Sequence, residues 1–298
     1  MNSANLLLIF SLAAPAAQDG LPATATDEGV ELTFHHPDGQ KARQGVIARG
    51  RRVGMWKGWH ANGQPFYRGE YKDYARIGRW VFWRPNGKKR SEGSFSGGER
   101  DGRWVVYHAK VEQKQVEGEW SRGLRHGKFS HFNETGTKVS VADWVEGSKQ
   151  GPGQLYHKNG ELSEAGPYVD DEKHGAWVTY HEDGKAKKAQ GQFTEGKESG
   201  MWTFWHANGR TDGQGHYKEG AQEGPWVTWH KNGQKEREVT FVDGVIQGPV
   251  VSWWGSGQMK SRGEALDGEW HGPWLAWDKE GRPDDKLTGS YDLGSKIN

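Results

Sequence analysis

Residues 54–64 read GMWKGWHANGQ and residues 200–210 read GMWTFWHANGR. Two nearly identical elevenmers so far apart are either an accident or two copies of one unit, and the sequence between them decides which. A glycine heads the same frame at Gly54, Gly78, Gly102, Gly127, Gly151, Gly175, Gly200, Gly224, Gly248 and Gly272, in steps of 24 or 25 residues. A fixed period of that size marks a repeat architecture, in which no unit can bury its apolar face alone and each leans on its neighbours. A weaker copy occupies residues 29–53, ahead of the regular array that runs from residue 54 to 298.

Numbering each unit from its heading glycine as position 0 exposes the columns. Position 2 is aromatic in most units, as in Trp56, Trp80, Trp104, Phe129, Trp177, Trp202, Trp226 and Trp274. Position 5 is aromatic throughout, from Trp59, Trp83 and Tyr107 to Trp205, Trp229, Trp253 and Trp277. Position 9 is nearly always Gly, with Asn before it in Asn62, Asn86, Asn159, Asn208 and Asn232. Glycine returns at positions 15 and 20, and an aromatic such as Tyr71, Phe95 or Tyr217 stands at position 17.

Asn-Gly is the preferred pair for a two-residue type I′ turn, so each unit is expected to be a β-hairpin turning at positions 8 and 9. That register sets position 5 opposite 12, 2 opposite 15 and 0 opposite 17, placing an aromatic against a glycine twice per unit. A ring lying over a glycine covers bare backbone and offsets the poor strand propensity of glycine. Positions 2 and 5 differ by an odd number, so they point to opposite faces. The expected fold is all-β: an elongated, single-layer antiparallel solenoid of ten to eleven 24-residue hairpins, with about 21 or 22 strands. The weak first copy and residues 282–298 would cap it. The two 25-residue units carry their extra residue between positions 9 and 15, where a bulge or longer turn can absorb it.

Composition agrees. The chain of 298 residues has 45 glycines and 17 tryptophans but an apolar fraction of 33%, which suits short strands and tight turns better than a thick core or a helical bundle. Its formal charge is +1 and its longest basic run is Lys88-Lys89-Arg90, so no footprint for nucleic acid is present. With no cysteine, disulfides and thiolate metal sites are excluded. Residues 1–17, MNSANLLLIFSLAAPAA, join an apolar stretch to Ala14-Pro15-Ala16, the pattern of a cleaved export signal. A periplasmic or secreted location is therefore expected, and a cytoplasmic one if that stretch is not a signal; residues 18–28 read as a linker.

The stretch EGEWSRGLRHGKFSHFNETG at 117–136 resembles a MORN repeat. Elsewhere the small residue usual two places after the heading glycine is replaced by Trp, as in GRWVFWRPNG at 78–87, and this form resembles the MORN-repeat variant of bacterial proteins described as antitoxin components. The resemblance covers residues 29–298. It implies an elongated hairpin array that holds protein partners, with lipid binding proposed for some members and, under the antitoxin description, neutralisation of a partner protein by binding.

No Gly-x-Ser-x-Gly, His-Glu-x-x-His or phosphate loop is present, and nearly every polar residue belongs to a repeated column, whereas a reacting site needs singular residues. No catalytic residue, cofactor or metal is expected. Six histidines share position 6, namely His60, His108, His157, His181, His206 and His230. Copies of a column lie two strands apart, about 10 Å, too far to share one ion, so packing near the hairpin end is their expected role. The acid at position 19, as in Glu146 or Asp243, reads as turn chemistry rather than a calcium ligand. One layer cannot bury both faces, so an exposed aromatic row marks an interaction surface. Its candidates are Trp59, Trp83, Trp205, Trp229, Trp253, Trp254 and Trp277. The expected function is a non-enzymatic scaffold engaging a protein partner; the alternatives are a cell-wall module for carbohydrate or choline-type ligands, through aromatic cages, and a lipid-binding protein.

Overall fold

The computed structural model describes residues 29–297. The export signal expected over residues 1–17 and the linker over 18–28 lie outside the described residues. Every regular element within them is a β-strand, and the strands form one 25-stranded sheet. Each strand pairs antiparallel with its neighbours in sequence: Arg51–Trp59 with Pro65–Lys72, that strand with Ala75–Trp83, and so onward. The number of strands exceeds expectation because two strands break just before the heading glycine, at His174 and Gln247, giving Glu172–Lys173 with Gly175–Tyr180 and Val245–Ile246 with Gly248–Trp253. Short strands Gly289–Asp292 and Ser295–Lys296 close the C-terminal end.

The turn at positions 8 and 9 is not the expected type I′ turn. At positions 6 to 10 the Gly63 N–H donates to the His60 carbonyl at 2.9 Å and the His60 N–H to the Gln64 carbonyl at 2.8 Å. Gly63 has φ of +81° while Asn62 is not left-handed. That is a type I turn closed by one left-handed glycine, a three-residue loop. The Asn acts through its side chain instead, Asn62 Oδ1 accepting from the Gln64 N–H at 3.2 Å. The type I′ turn sits at the other connection, where two successive residues are left-handed: Glu146 and Gly147 at +49° and +95°, Asp243 and Gly244 at +49° and +83°. The residue before this glycine is left-handed whatever its side chain, Arg49 and Arg122 as well as Glu195 and Asp243, so the column of carboxylates is turn chemistry. The extra loop residue shifts the register once, so Trp59 faces Pro65 rather than Phe66, but Gly58↔Tyr67, Trp56↔Gly69 and Gly54↔Tyr71 follow the expected pairing. The two longer units lengthen this same loop, bonding His108 to Gln113 and His181 to Ala186.

The core is a column of rings on bare backbone. Left-handed Gly54, at +64°, bulges its strand so that Gly54, Met55 and Trp56 stand against Gly45 alone. Trp56 thereby drops across Gly45, and its counterparts at position 2 do the same over Gly69, Gly93, Gly118, Gly166, Gly191, Gly215 and Gly263. A methyl group on any of these glycines would sit 2.1–2.4 Å from the ring, well inside contact distance. The position-2 rings are 0–5% exposed. Register sets each ring opposite position 15 of its own unit, glycine in most but Ala142 for Phe129 and Val239 for Trp226, yet the ring rests on the glycine of the preceding unit. The contact therefore joins units rather than closing one.

The seven indoles also donate Nε1–H to the carbonyl after that glycine, from Trp56 to Val46, Trp80 to Glu70 and on to Trp274 to Glu264, at 2.8–3.2 Å. Position-17 rings wedge edge-on between consecutive indoles: Tyr71 meets Trp56 at 6.1 Å and Trp80 at 5.0 Å, with interplanar angles of 81° and 90°, the favoured T-shaped arrangement.

Two units lack the position-2 aromatic, and in both the partner position changes with it. Where Gly153 replaces the ring, the preceding glycine is Ala142, and Tyr168 leans over Gly153 instead. Where Val250 replaces it, the preceding glycine is Val239, and both valines are buried. At the end of the array, Gly289 takes the register place opposite Trp274, and Tyr291 is buried beside it.

Trp80→Ala should cost about 3–5 kcal/mol, as large aromatic truncations in cores do, read as a lowered denaturation midpoint. Val250→Trp alone should destabilise by overpacking, and adding Val239→Gly should recover most of the loss; equal losses in the single and double variants would show that the two positions are not coupled.

Candidate functional site

The face opposite the indole column carries the position-5 row. Trp59, Trp83, Trp205, Trp229, Trp253 and Trp277 all lie there, each half-buried. Their backbone carbonyls are held from the preceding unit. His36 Nε2 bonds to the Trp59 carbonyl at 3.0 Å, His60 to Trp83 at 3.1 Å, His181 to Trp205 at 2.9 Å, His206 to Trp229 at 2.8 Å and His230 to Trp253 at 2.9 Å. A carbonyl only accepts, so each imidazole carries its proton on Nε2. The histidine column is thus a ladder of cross-links between loops. Among the described residues no cluster of three potential metal ligands occurs. Asn208 and Asn232 extend the ladder, donating to the Lys231 and Gly255 carbonyls of the following loops.

Trp254 is separate from the row. It stands in the histidine's place at position 6, and its indole donates to the Trp277 carbonyl at 3.0 Å. The adjacent pair Trp253-Trp254 therefore does not form a double aromatic surface: the strand Gly248–Trp253 ends at the first ring, and Trp254 opens the loop and turns its indole to the next unit.

Lysines cover part of the row. Lys41 lies over Trp59, Lys89 over Tyr107, Lys138 over Tyr156, Lys187 over Trp205 and Lys235 over Trp253, with ammonium-to-centroid distances of 5.7–5.9 Å. The equivalent position before Trp83, Trp229 and Trp277 is Pro65, Thr211 and Met259, so these three rings have no such cover. Carboxylates at position 14 tie the lysines down, as in Lys89–Glu92 at 3.2 Å and Lys114–Glu117 at 2.7 Å. Glu92 also accepts from the Tyr107 hydroxyl at 2.5 Å and from Arg79 at 2.7 Å. Burial pushes its carboxyl up, but the bonds from Tyr107, Arg79 and Lys89 outweigh this and hold it at about 2, against an ordinary 4.5. Burial and then the bond to Glu92 push Tyr107 up to about 12.

A second set of charged side chains lies on the indole face. Arg52, Arg76, Arg100 and Arg125 each sit over a buried ring, at 4.8 Å from Trp56, 4.9 Å from Trp80, 4.5 Å from Trp104 and 5.6 Å from Phe129. Sequence reasoning missed this column, because its residue type changes along the array.

With this geometry in view, comparison with known proteins is informative for the repeat. The MORN repeat variant family matches at residues 52–73 and 222–243, each of which spans one hairpin, Arg51–Trp59 with Pro65–Lys72 and Ala221–Trp229 with Lys235–Val242, so these two units are MORN-variant repeats. No curated protein matches it. Among solved structures, TcdB2-TccC3 shares 11% identity over 89% of this chain and 17% of its own, with a TM-score of 0.16. A Photorhabdus luminescens Tc holotoxin pore with a substituted TccC3 shares 9% over 91% of this chain and 18% of its own, with a TM-score of 0.19. The chain spans less than a fifth of either length, and at these TM-scores they bear on neither fold nor function.

Two outcomes follow from the outer face. Trp229→Ala should cost about 1–2 kcal/mol, in line with partial loss of buried apolar area, and leave the far-UV spectrum unchanged, while Trp226→Ala, one face over, should be far more damaging. Glu92 is depressed when folded, so its contribution is present above pH 4.5 and lost as pH falls towards about 2. Glu92→Gln should flatten that part of the acid-unfolding curve, and a carboxyl titration midpoint near 4.5 in the native protein would contradict the assignment.

Proposed function

We propose that the chain is a non-enzymatic scaffold that holds a protein partner along its outer aromatic row, and that it works in the bacterial cell envelope. The observation that carries this reading is the division between two aromatic columns of one sheet. Position 2 is closed to solvent, while position 5 stays half-exposed from Trp59 to Trp277. A periodic row of partly exposed rings is not needed to close the core, and such surfaces mark sites of association. Trp83, Trp229 and Trp277, which carry no lysine, are the anchors; large amphipathic rings are typical hot spots of protein interfaces. The envelope location rests on the export-like pattern of residues 1–17.

The lysines favour a protein partner over a choline-type ligand. Quaternary ammonium groups are captured by aromatic faces, and five rings of the row already have an ammonium group of the chain over them. Neutralisation of a partner by binding, which the antitoxin description implies, is one form this scaffold function would take.

The experiment is site-specific photo-crosslinking in the producing cell, with the crosslinker at Trp83, Trp229 or Trp277. All three positions should trap the same protein, in the envelope fraction. Purified protein should not be retained on cell wall or on anionic liposomes. Retention on cell wall released by choline or soluble glycan would replace this reading with the carbohydrate one, and retention on liposomes with the lipid one.

A further inference from the structure

The column two residues ahead of each heading glycine reads Arg52, Arg76, Arg100, Arg125, Lys149, Lys173, Glu198, Gln222, Ile246 and Trp270. Its first six members are cationic and half-buried on the indole face. Each lies over a ring, Lys149 at 4.9 Å from Tyr168 and Lys173 at 4.3 Å from Trp177 completing the series begun by the arginines. Arg90 adds a further guanidinium over Phe82 at 5.3 Å.

Capping the rings does not explain the charge. In the last units the same place is filled by Ile246, packed into the core, and by Trp270, stacked on Trp274 at 4.1 Å and 11°. A neutral cap therefore serves the fold. Nor does the fold supply counter-ions to the middle of the row. Among the described residues Arg76, Arg100, Arg125 and Lys149 make no ion pair; Lys173 is paired with Glu164 at 2.5 Å, and Asp171 is the acid that acts on Arg125. Burial, and then the neighbouring Arg125, Arg90 and Arg76, push the Arg100 guanidinium down. Half of one face thus holds a row of like charges that repel one another and that the fold does not require.

We propose that the indole face from Arg76 to Lys149 binds an extended acidic segment of a protein partner, with one carboxylate per repeat. Successive cations are two strands apart, about 10 Å, and an extended segment in the polyproline II form advances about 3.1 Å per residue with three residues per turn, so every third side chain faces the row and meets one cation. Duplex nucleic acid is disfavoured because the chain's formal charge is +1 and its longest basic run is Lys88-Lys89-Arg90. A flat lipid surface is disfavoured because the cationic heads are half-buried among rings rather than projecting. The inference rests on the scaffold reading in taking the partner to be a protein, but it uses the opposite face.

The test is fluorescence anisotropy with the full chain at ~0.15 M salt. The probe is a labelled peptide of about 18 residues with Glu at every third position, set against one of the same composition with its Glu residues in a single block. The spaced peptide should bind better. R76Q/R100Q/R125Q should weaken it by at least about tenfold and lower its salt dependence, R76K/R100K/R125K should retain it, and K57Q/K128Q/K218Q, which removes as much charge elsewhere, should not change it. If the triple Gln variant does not fold, Arg100→Ile, patterned on Ile246, replaces it and should weaken binding in the same direction. Unchanged binding by the charge-removing variants, equal binding of both peptides, or binding of phosphatidylserine vesicles but of neither peptide would overturn the proposal. Trp229→Ala and Trp253→Ala should leave peptide binding intact, so failure of the outer-row reading and failure of this one are told apart.

Discussion

An indole resting on the bare backbone of the preceding hairpin is the contact on which everything else in this protein depends. Three residues must cooperate to make it. A left-handed glycine bulges the strand, the ring two places on drops across the neighbouring hairpin, and a glycine there leaves the space. The next carbonyl accepts the indole proton, so burying the ring strands no polar group. Magnitudes favour the arrangement: a buried tryptophan removes 150–250 Å² from water, worth about 4–6 kcal/mol as an upper estimate, whereas a strand glycine costs about 0.5–1 kcal/mol. That balance is why a chain with few aliphatic residues carries 45 glycines and 17 tryptophans.

Since that contact consumes one aromatic column completely, the other is not needed to close the core. The outer row is held in place by its main chain, through imidazole and amide cross-links from loop to loop, while its rings remain half-exposed. Fixed backbone with accessible side chains is what a recognition surface needs, because little freedom is left to lose on association. The indole face contributes differently. Its rings are closed, but its cations give the first half of the array a charge that the second half lacks, so the two ends of the molecule are chemically distinct although their folds are the same.

Much of this was legible in the sequence. The period, the opposition of positions 2 and 5, and the register 2↔15 and 0↔17 could all be read from Gly54, Trp56, Trp59, Gly69 and Tyr71. The turn types could not. Asn-Gly suits both a type I′ turn and a type I turn closed by glycine, since Gly63 is left-handed in either, and the discriminating signal was the pair at the other connection, such as Asp243-Gly244. Nor could the sequence say which glycine a ring covers, because Trp56 has one on each side, Gly69 and Gly45. The histidine ladder was hidden for another reason: its acceptors are backbone carbonyls, which leave no mark in a sequence. The cationic column escaped because it is uniform for six units and then changes to Glu198, Gln222, Ile246 and Trp270.

The compensating pairs, Gly153 with Ala142 and Val250 with Val239, show that each joint is specified by its own two partners and by nothing further along the ribbon. A gene of this kind can therefore lengthen or shorten by unequal exchange between copies whose joints carry the same pair, since the seam it creates is then one the protein already contains. Molecular span becomes a quantity that inheritance can adjust in whole increments, without inventing a single new side chain.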